Sequence, residues 1–120
     1  MDSALLAAFR RRVVAVIEED LAREEAAAEC RRAVVLPAVS KAVAEARAAG
    51  DCRRVWLFGS FAWGEPGERS DVDLLVEGCA DPDALAAAVW RVADRPVHVV
   101  ELERAPATLV ERALREGSPL

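Results

Sequence analysis

Leu57-Phe58-Gly59-Ser60, ten intervening residues, then Asp71-Val72-Asp73-Leu74-Leu75-Val76 is the stretch on which the reading of this chain turns. Val55-Trp56-Leu57-Phe58 is a continuous apolar run, the mark of a strand buried on both faces. Gly59-Ser60 ends it and opens a short turn through Gly64. The loop Glu65-Pro66-Gly67-Glu68-Arg69-Ser70 is rich in turn formers. Asp71 to Val76 then reads as a second strand, closed by Gly78. A glycine and a serine at the end of a buried strand can offer backbone N–H groups and a hydroxyl to a phosphate, although the same pair also serves as a plain turn. Asp71 and Asp73, two apart on a strand, send their side chains to one face. Adjacent carboxylates repel unless a cation sits with them; the plain alternative is an exposed strand end that tolerates two acids. Taken together, a phosphate cradle, a return loop and paired hard-oxygen ligands are what metal-assisted phosphoryl or nucleotidyl transfer requires.

Downstream, Asp81-Pro82 is a cap followed by proline at a first helical position, opening a helix with Leu85, Val89 and Val92 inward. Pro96 introduces a third strand, Val97 to Leu102. A last helix is expected from about Pro106 to Glu116, with Leu109, Ala113 and Leu114 inward and Gly117 as its stop. Upstream, Asp2 or Ser3 caps a first helix whose apolar stripe is Leu5, Phe9, Val13, Ile17 and Leu21, with Val16 beside it. Glu18 to Arg32 is charged and alanine-rich, good helix former but poor core. Pro37 disfavours helix at Leu36 and suits the first turn of a second helix, with Val39, Val43 and Ala46 inward and Gly50 as its stop. Residues 1–50 therefore read as a helical hairpin or one kinked helix. The stripe is expected to pack on its own domain; a homodimer seam is its other use. The order α-α-β-β-α-β-α predicts a small α/β (α+β) fold, one sheet flanked by helices, as a single domain over 1–120 with a helical prefix (1–50) and a sheet-containing core (53–116).

The composition agrees with a globular chain: 53% hydrophobic, 31% charged, net charge −5. Residues 1–50 balance eight bases against eight acids; the remainder carries eight against thirteen. An acidic second half argues against a nucleic-acid footprint and suits divalent cations. No apolar run is long enough for a membrane span, and MDSALLAAFRRR has no basic region ahead of its apolar stretch, so a cytoplasmic address is expected. Cys30, Cys52 and Cys79 are widely spaced without a CxxC and are expected to be small buried residues.

The Gly59-Ser60, ten-residue, Asp71-x-Asp73 pattern closely resembles the signature of the DNA polymerase β-like nucleotidyltransferases, and the short chain resembles their minimal nucleotidyltransferase (MNT) branch. The resemblance extends over about residues 53–116, including Arg95-Pro96-Val97-His98-Val99-Val100 and Glu103-Arg104-Ala105-Pro106. It implies a small mixed sheet flanked by helices. It also implies that Gly59 and Ser60 hold the triphosphate of a nucleotide such as ATP, and that Asp71 and Asp73 bind Mg²⁺, with Mn²⁺ as an alternative. A third carboxylate would complete the metal site and help deprotonate the attacking hydroxyl. In the corresponding stretch this chain carries His98, its only histidine. Imidazole is a poor Mg²⁺ ligand and a better one for Mn²⁺ or Zn²⁺. Three readings stand: a damaged metal site; a general base or softer-metal ligand; or a neutral substitution with Glu101 or Glu103 supplying the acid, which strand alternation disfavours for Glu101. Trp63 departs too, where many relatives carry arginine; with Phe61 it reads as core, or as a surface on which a base stacks.

The MNT branch implies further that the partner is a HEPN-domain ribonuclease, silenced by transfer of AMP to one of its tyrosines. The chain contains no tyrosine, so such an acceptor would lie in trans. Two functions follow from the resemblance: a metal-dependent nucleotidyltransferase acting on a partner protein, or a catalytically impaired protein that neutralises a HEPN partner by binding alone.

Overall fold

The computed structural model describes residues 2–120. Helix α1 (Ser3–Ala48) begins where the Asp2 carboxylate accepts a hydrogen bond from the Ala4 amide at 3.0 Å. It runs 46 residues without interruption, with Pro37 inside it. Of the two expectations, a helical hairpin or one kinked helix, the hairpin is not formed: the segment is a single helix. A proline in a helix interior removes one backbone hydrogen bond, at a cost of about 3 kcal/mol. Val35, Val39 and Val43 lie on both sides of Pro37 and are buried on one face, and that continuous packing outweighs the local penalty.

Strand β1 (Arg54–Phe58) is followed by a single helical turn, α2 (Ser60–Trp63), then β2 (Val72–Glu77), α3 (Pro82–Ala93), β3 (Val97–Glu101), a 3₁₀ turn (Leu102–Arg104), α4 (Ala107–Glu116) and a two-residue strand, β4 (Ser118–Pro119). The sheet order is β3-β2-β1-β4, with β2 and β3 parallel and the other pairs antiparallel. Asp81 caps α3 through its carboxylate, 3.1 Å from the Ala84 amide, and Pro82 occupies the first turn, as the sequence implies. Strand β4 had no signal in the sequence, being two residues pinned by pairing with Trp56 and Leu57.

The two faces of the sheet differ. On one, Val55, Leu57, Val72, Leu74 and Val76 pack against Val39 and Val43 of α1 and Leu85 and Val89 of α3. On the other, Trp56, Phe58 and Leu75 meet only Ala113 and a few half-buried side chains around α4. Period-two alternation places Asp73 and His98 on this second, thinly covered face. Helices α1 and α3 cover the first face, and α4 covers part of the second.

Several inward expectations fail. Leu5, Phe9, Val13, Val16, Ile17 and Leu21 are exposed, from 41% at Val13 to 64% at Leu5, because the first buried residue of α1 is Ala28 and the helix before it touches no sheet. Val92 and Leu114 are also about half exposed, each on the outer flank of its helix. Of the cysteines only Cys52 is buried; Cys79 is partly covered and Cys30 is exposed on α1. Burial, together with the neighbouring Cys79 thiol, pushes the Cys52 thiol up to about 12.

Candidate functional site

Gly59 leaves β1 at φ 76°, ψ −155°, a conformation open to glycine and costly for other residues. Phe58 pairs with Asp73 across the antiparallel ladder, so the backbone at Gly59 runs directly beside the Asp73 carboxylate. A Cβ on Gly59 would overlap Asp73 Oδ2 and lie 3.1 Å from its Cγ. The glycine is therefore required both by the turn and by the acid that it cradles. Ser60 begins α2; Ala62 and Trp63 amides donate to the Gly59 carbonyl, each at 3.0 Å. The amides of Ser60 and Phe61 precede the first of these bonds and have no acceptor within the turn.

Asp71 lies one residue before β2 and is exposed, while Asp73 is within the strand and half-buried. Burial is the main cause that raises the Asp73 carboxyl above the ordinary range; Asp71 pushes the same way and His98 opposes both. His98 stands opposite Asp73 in the parallel register of β2 and β3, its Nδ1 3.7 Å from Asp73 Oδ1. Its side chain is 67% exposed. Glu101 stands opposite Val76, with Oε2 3.4 Å from Arg104 Nε. Glu103 accepts from the Gly78 amide at 2.8 Å. Neither glutamate is brought to Asp73; the side chain beside it in the register is the His98 imidazole.

Among the described residues no cluster of three or more His, Cys, Asp and Glu side chains is shaped to hold a metal ion. The donor set is two hard carboxylates with an imidazole beside one of them. That set, with the glycine cradle, fits a divalent cation that draws its remaining ligands from phosphate oxygens and water, the habit of Mg²⁺.

The loop after the turn is tied down by arginines, Arg31 and Arg32 from α1 and Arg95 from just before β3. Arg32 of α1 donates from Nε to the Phe61 carbonyl at 3.3 Å and from Nη2 to the Gly64 carbonyl. Arg31 donates to the carbonyl of Pro66, itself fully buried, at 3.2 Å. Arg95, just before β3, donates to the Ser70 carbonyl at 3.0 Å and lies over the Phe61 ring at 5.0 Å. Phe61 is core, as expected (1% exposed). Trp63 is only partly covered, and the Arg112 guanidinium stacks on it at 4.1 Å while pairing with Glu116 at 2.8 Å. A cation from α4 thus lies beside the turn even though position 63 itself is uncharged.

A family model described as "Polymerase beta, Nucleotidyltransferase" matches residues 41–120. The chain belongs to the polymerase β-like nucleotidyltransferases. Among solved structures it is similar to a minimal nucleotidyltransferase, at 33% identity and TM-score 0.59, over 68% of this chain and 88% of that one. It is similar also to a mutant of the toxin–antitoxin pair MntA–HpeT, at 26% identity and TM-score 0.53, over 68% and 69% of the two chains. A second mutant of that pair, at 23% identity and TM-score 0.56 over 68% and 70%, shares the fold. No curated protein matches the sequence. In this polymerase β-like nucleotidyltransferase the matched region starts at residue 41, so Arg31 and Arg32 reach the turn from outside it.

Proposed function

We propose that this chain, as one minimal nucleotidyltransferase domain over residues 1–120, transfers a nucleoside monophosphate, AMP from ATP, to a partner protein of the HEPN class. The observation that carries the reading is the fit of the Gly59 backbone against the Asp73 carboxylate, with His98 in register beside it. In this reading Gly59, Ser60 and the amides that open α2 receive the triphosphate. Asp71 and Asp73 hold Mg²⁺ or Mn²⁺, which when bound neutralises phosphate charge and steadies the departing pyrophosphate. The acceptor hydroxyl oxygen bonds to the α-phosphorus, the α–β phosphoanhydride bond breaks, and the hydroxyl proton passes to a base; His98, exposed beside Asp73, is placed to take it. The groove of about 570 Å³ along the outer edge of β3, lined by His98, Glu101, Arg104 and Pro106, gives the acceptor an approach to that side chain. The likeness to chains of the MntA–HpeT toxin–antitoxin pair supports a protein partner, and with no tyrosine in this chain any tyrosine acceptor would lie in trans.

The imidazole at the third-acid position favours a second reading, in which the chain binds nucleotide and partner without chemistry. One experiment separates the two. The protein is incubated with α-labelled ATP and either Mg²⁺ or Mn²⁺ in a lysate of its host, with the Asp71→Asn/Asp73→Asn double variant as blank. A labelled band that disappears in the blank establishes transfer, and its mass identifies the acceptor. If no band forms with either metal, and His98→Asp creates one, the parent protein is a binding protein only.

A further inference from the structure

The first half of α1 stands away from the body of the molecule. Its residues 3–27 precede Ala28, the first buried position, and carry Leu5, Phe9, Val13, Val14, Val16, Ile17 and Leu21 exposed. A helix of this length held by no tertiary contact draws little stability from propensity alone, and seven exposed apolar side chains within seventeen residues invite a partner. The charges identify which one. Arg10-Arg11-Arg12 and Glu18-Glu19-Asp20 are blocks of opposite sign placed symmetrically about Ala15. Turning a second copy end for end about that point brings the arginine block of one copy level with the acidic block of the other, Arg10 at the height of Asp20 and both beside the stripe. The same operation sets Phe9 against Leu21, Val13 against Ile17, Val14 against Val16 and Ala8 against Ala22. Arg12 and Glu19, two turns apart, share one flank of the stripe, and an antiparallel pair brings like flanks together. A parallel pair would oppose arginine block to arginine block.

The length agrees as well. With the centre at Ala15, Ser3 of one copy meets Ala27 of the other, so the overlap uses the whole free segment and stops where the body begins. We infer that residues 3–27 of α1 form an antiparallel seam with a second copy of this chain, making a two-fold dimer with its sheet-bearing bodies at opposite ends. Both copies of the Gly59–Asp73 site stay clear of the seam, since α1 meets the site loop at Arg31 and Arg32.

Sedimentation of the full chain over a range of micromolar concentrations is expected to show a species of twice the 13.0 kDa chain mass. The Arg10→Glu/Arg11→Glu/Arg12→Glu variant and the Glu18→Arg/Glu19→Arg/Asp20→Arg variant should each sediment as monomers, and an equimolar mixture should dimerise. Circular dichroism of each variant checks that the body remains folded. Spin labels on exposed Cys30, in a Cys79→Ser background, should lie about 45 Å apart at 1.5 Å rise per residue. The inference is overturned by a monomeric parent chain at high micromolar concentration, by block-reversed variants that still dimerise alone, or by a mixture that does not. A Cys30–Cys30 separation below about 20 Å, the parallel arrangement, overturns it equally. So does a free segment that remains monomeric and is protected only when a HEPN protein is added.

Discussion

Asp73 carries two opposing demands. Its carboxylate is half-buried against Gly59 and beside Asp71, so ionisation is disfavoured by desolvation and by like charge, and His98 relieves only part of this. The folded state holds the Asp73 proton to higher pH than the unfolded chain does, and folding therefore takes up a proton between those two values. The consequence has a definite sign: the stability contributed at this residue is present below the unfolded value, about pH 4, and is lost as pH rises through the raised folded value. Asp73→Asn is expected to melt higher than the parent at pH 7 without added metal, and to lose this part of the pH slope; a lower melting temperature would contradict the burial argument. The same variant should lose at least about 100-fold in transfer, as removal of a preorganised charge at a reacting centre does. Mg²⁺ or Mn²⁺ should raise the melting temperature of the parent and leave the variant unmoved. Gly59→Ala meets a positive φ and a carboxylate where its methyl would go. It should cost about 1 kcal/mol or more by urea titration and abolish nucleotide binding.

The elements around the site are held by contacts distant in sequence. Arg32 bridges α1 to the carbonyls of Phe61 and Gly64 across about thirty residues of chain. Arg32→Ala is expected to raise the KM for ATP several-fold while kcat changes little, because the arginine positions the loop and touches no reacting atom; its stability cost should be about 1–3 kcal/mol, the usual worth of hydrogen bonds to a charged donor. An equal fall in kcat without a KM change would assign it a different role. Within α1, Pro37 interrupts the backbone ladder of a helix that continues through it, with packing on both sides. Pro37→Ala should therefore stabilise the protein, by up to about 3 kcal/mol in chemical denaturation. Were residues 3–48 two helices joined at Pro37, the substitution would have no such effect.

At the scale of the whole molecule, the shape departs from a compact domain. The radius of gyration is 19.5 Å, against about 14 Å expected for a compact chain of this length, and the long axis measures 70 Å, which is the length of α1. Deleting residues 2–26 should leave the melting temperature of the body nearly unchanged, since none of its core side chains is lost. Cutting back to residue 41 removes Val35, Val39, Arg31 and Arg32, and should destabilise the body by more than about 3 kcal/mol, although the family-matched region is then still whole.

The sequence by itself determined the Gly59-Ser60 turn, the Asp71-x-Asp73 spacing and the three longer strands around them. Glycine at the turn, two acids at strand spacing, and apolar runs bounded by turn formers are local requirements, written in residues close together in the chain. The departure at His98 was legible through the family resemblance, which implies an acid in that stretch; the parallel register of β2 and β3 then sets His98 opposite Asp73. Only the tertiary structure decided whether Pro37 ends a helix, since a proline's local penalty is outweighed by valines packing on both sides of it. It alone placed Arg31, Arg32, Arg95 and Arg112 around the turn, because an arginine's partner can lie anywhere that the fold brings a carbonyl or a ring. It also decided that the Leu5–Leu21 stripe stays exposed: periodicity marks an apolar face of a helix, and how far the sheet reaches along that helix is set by packing.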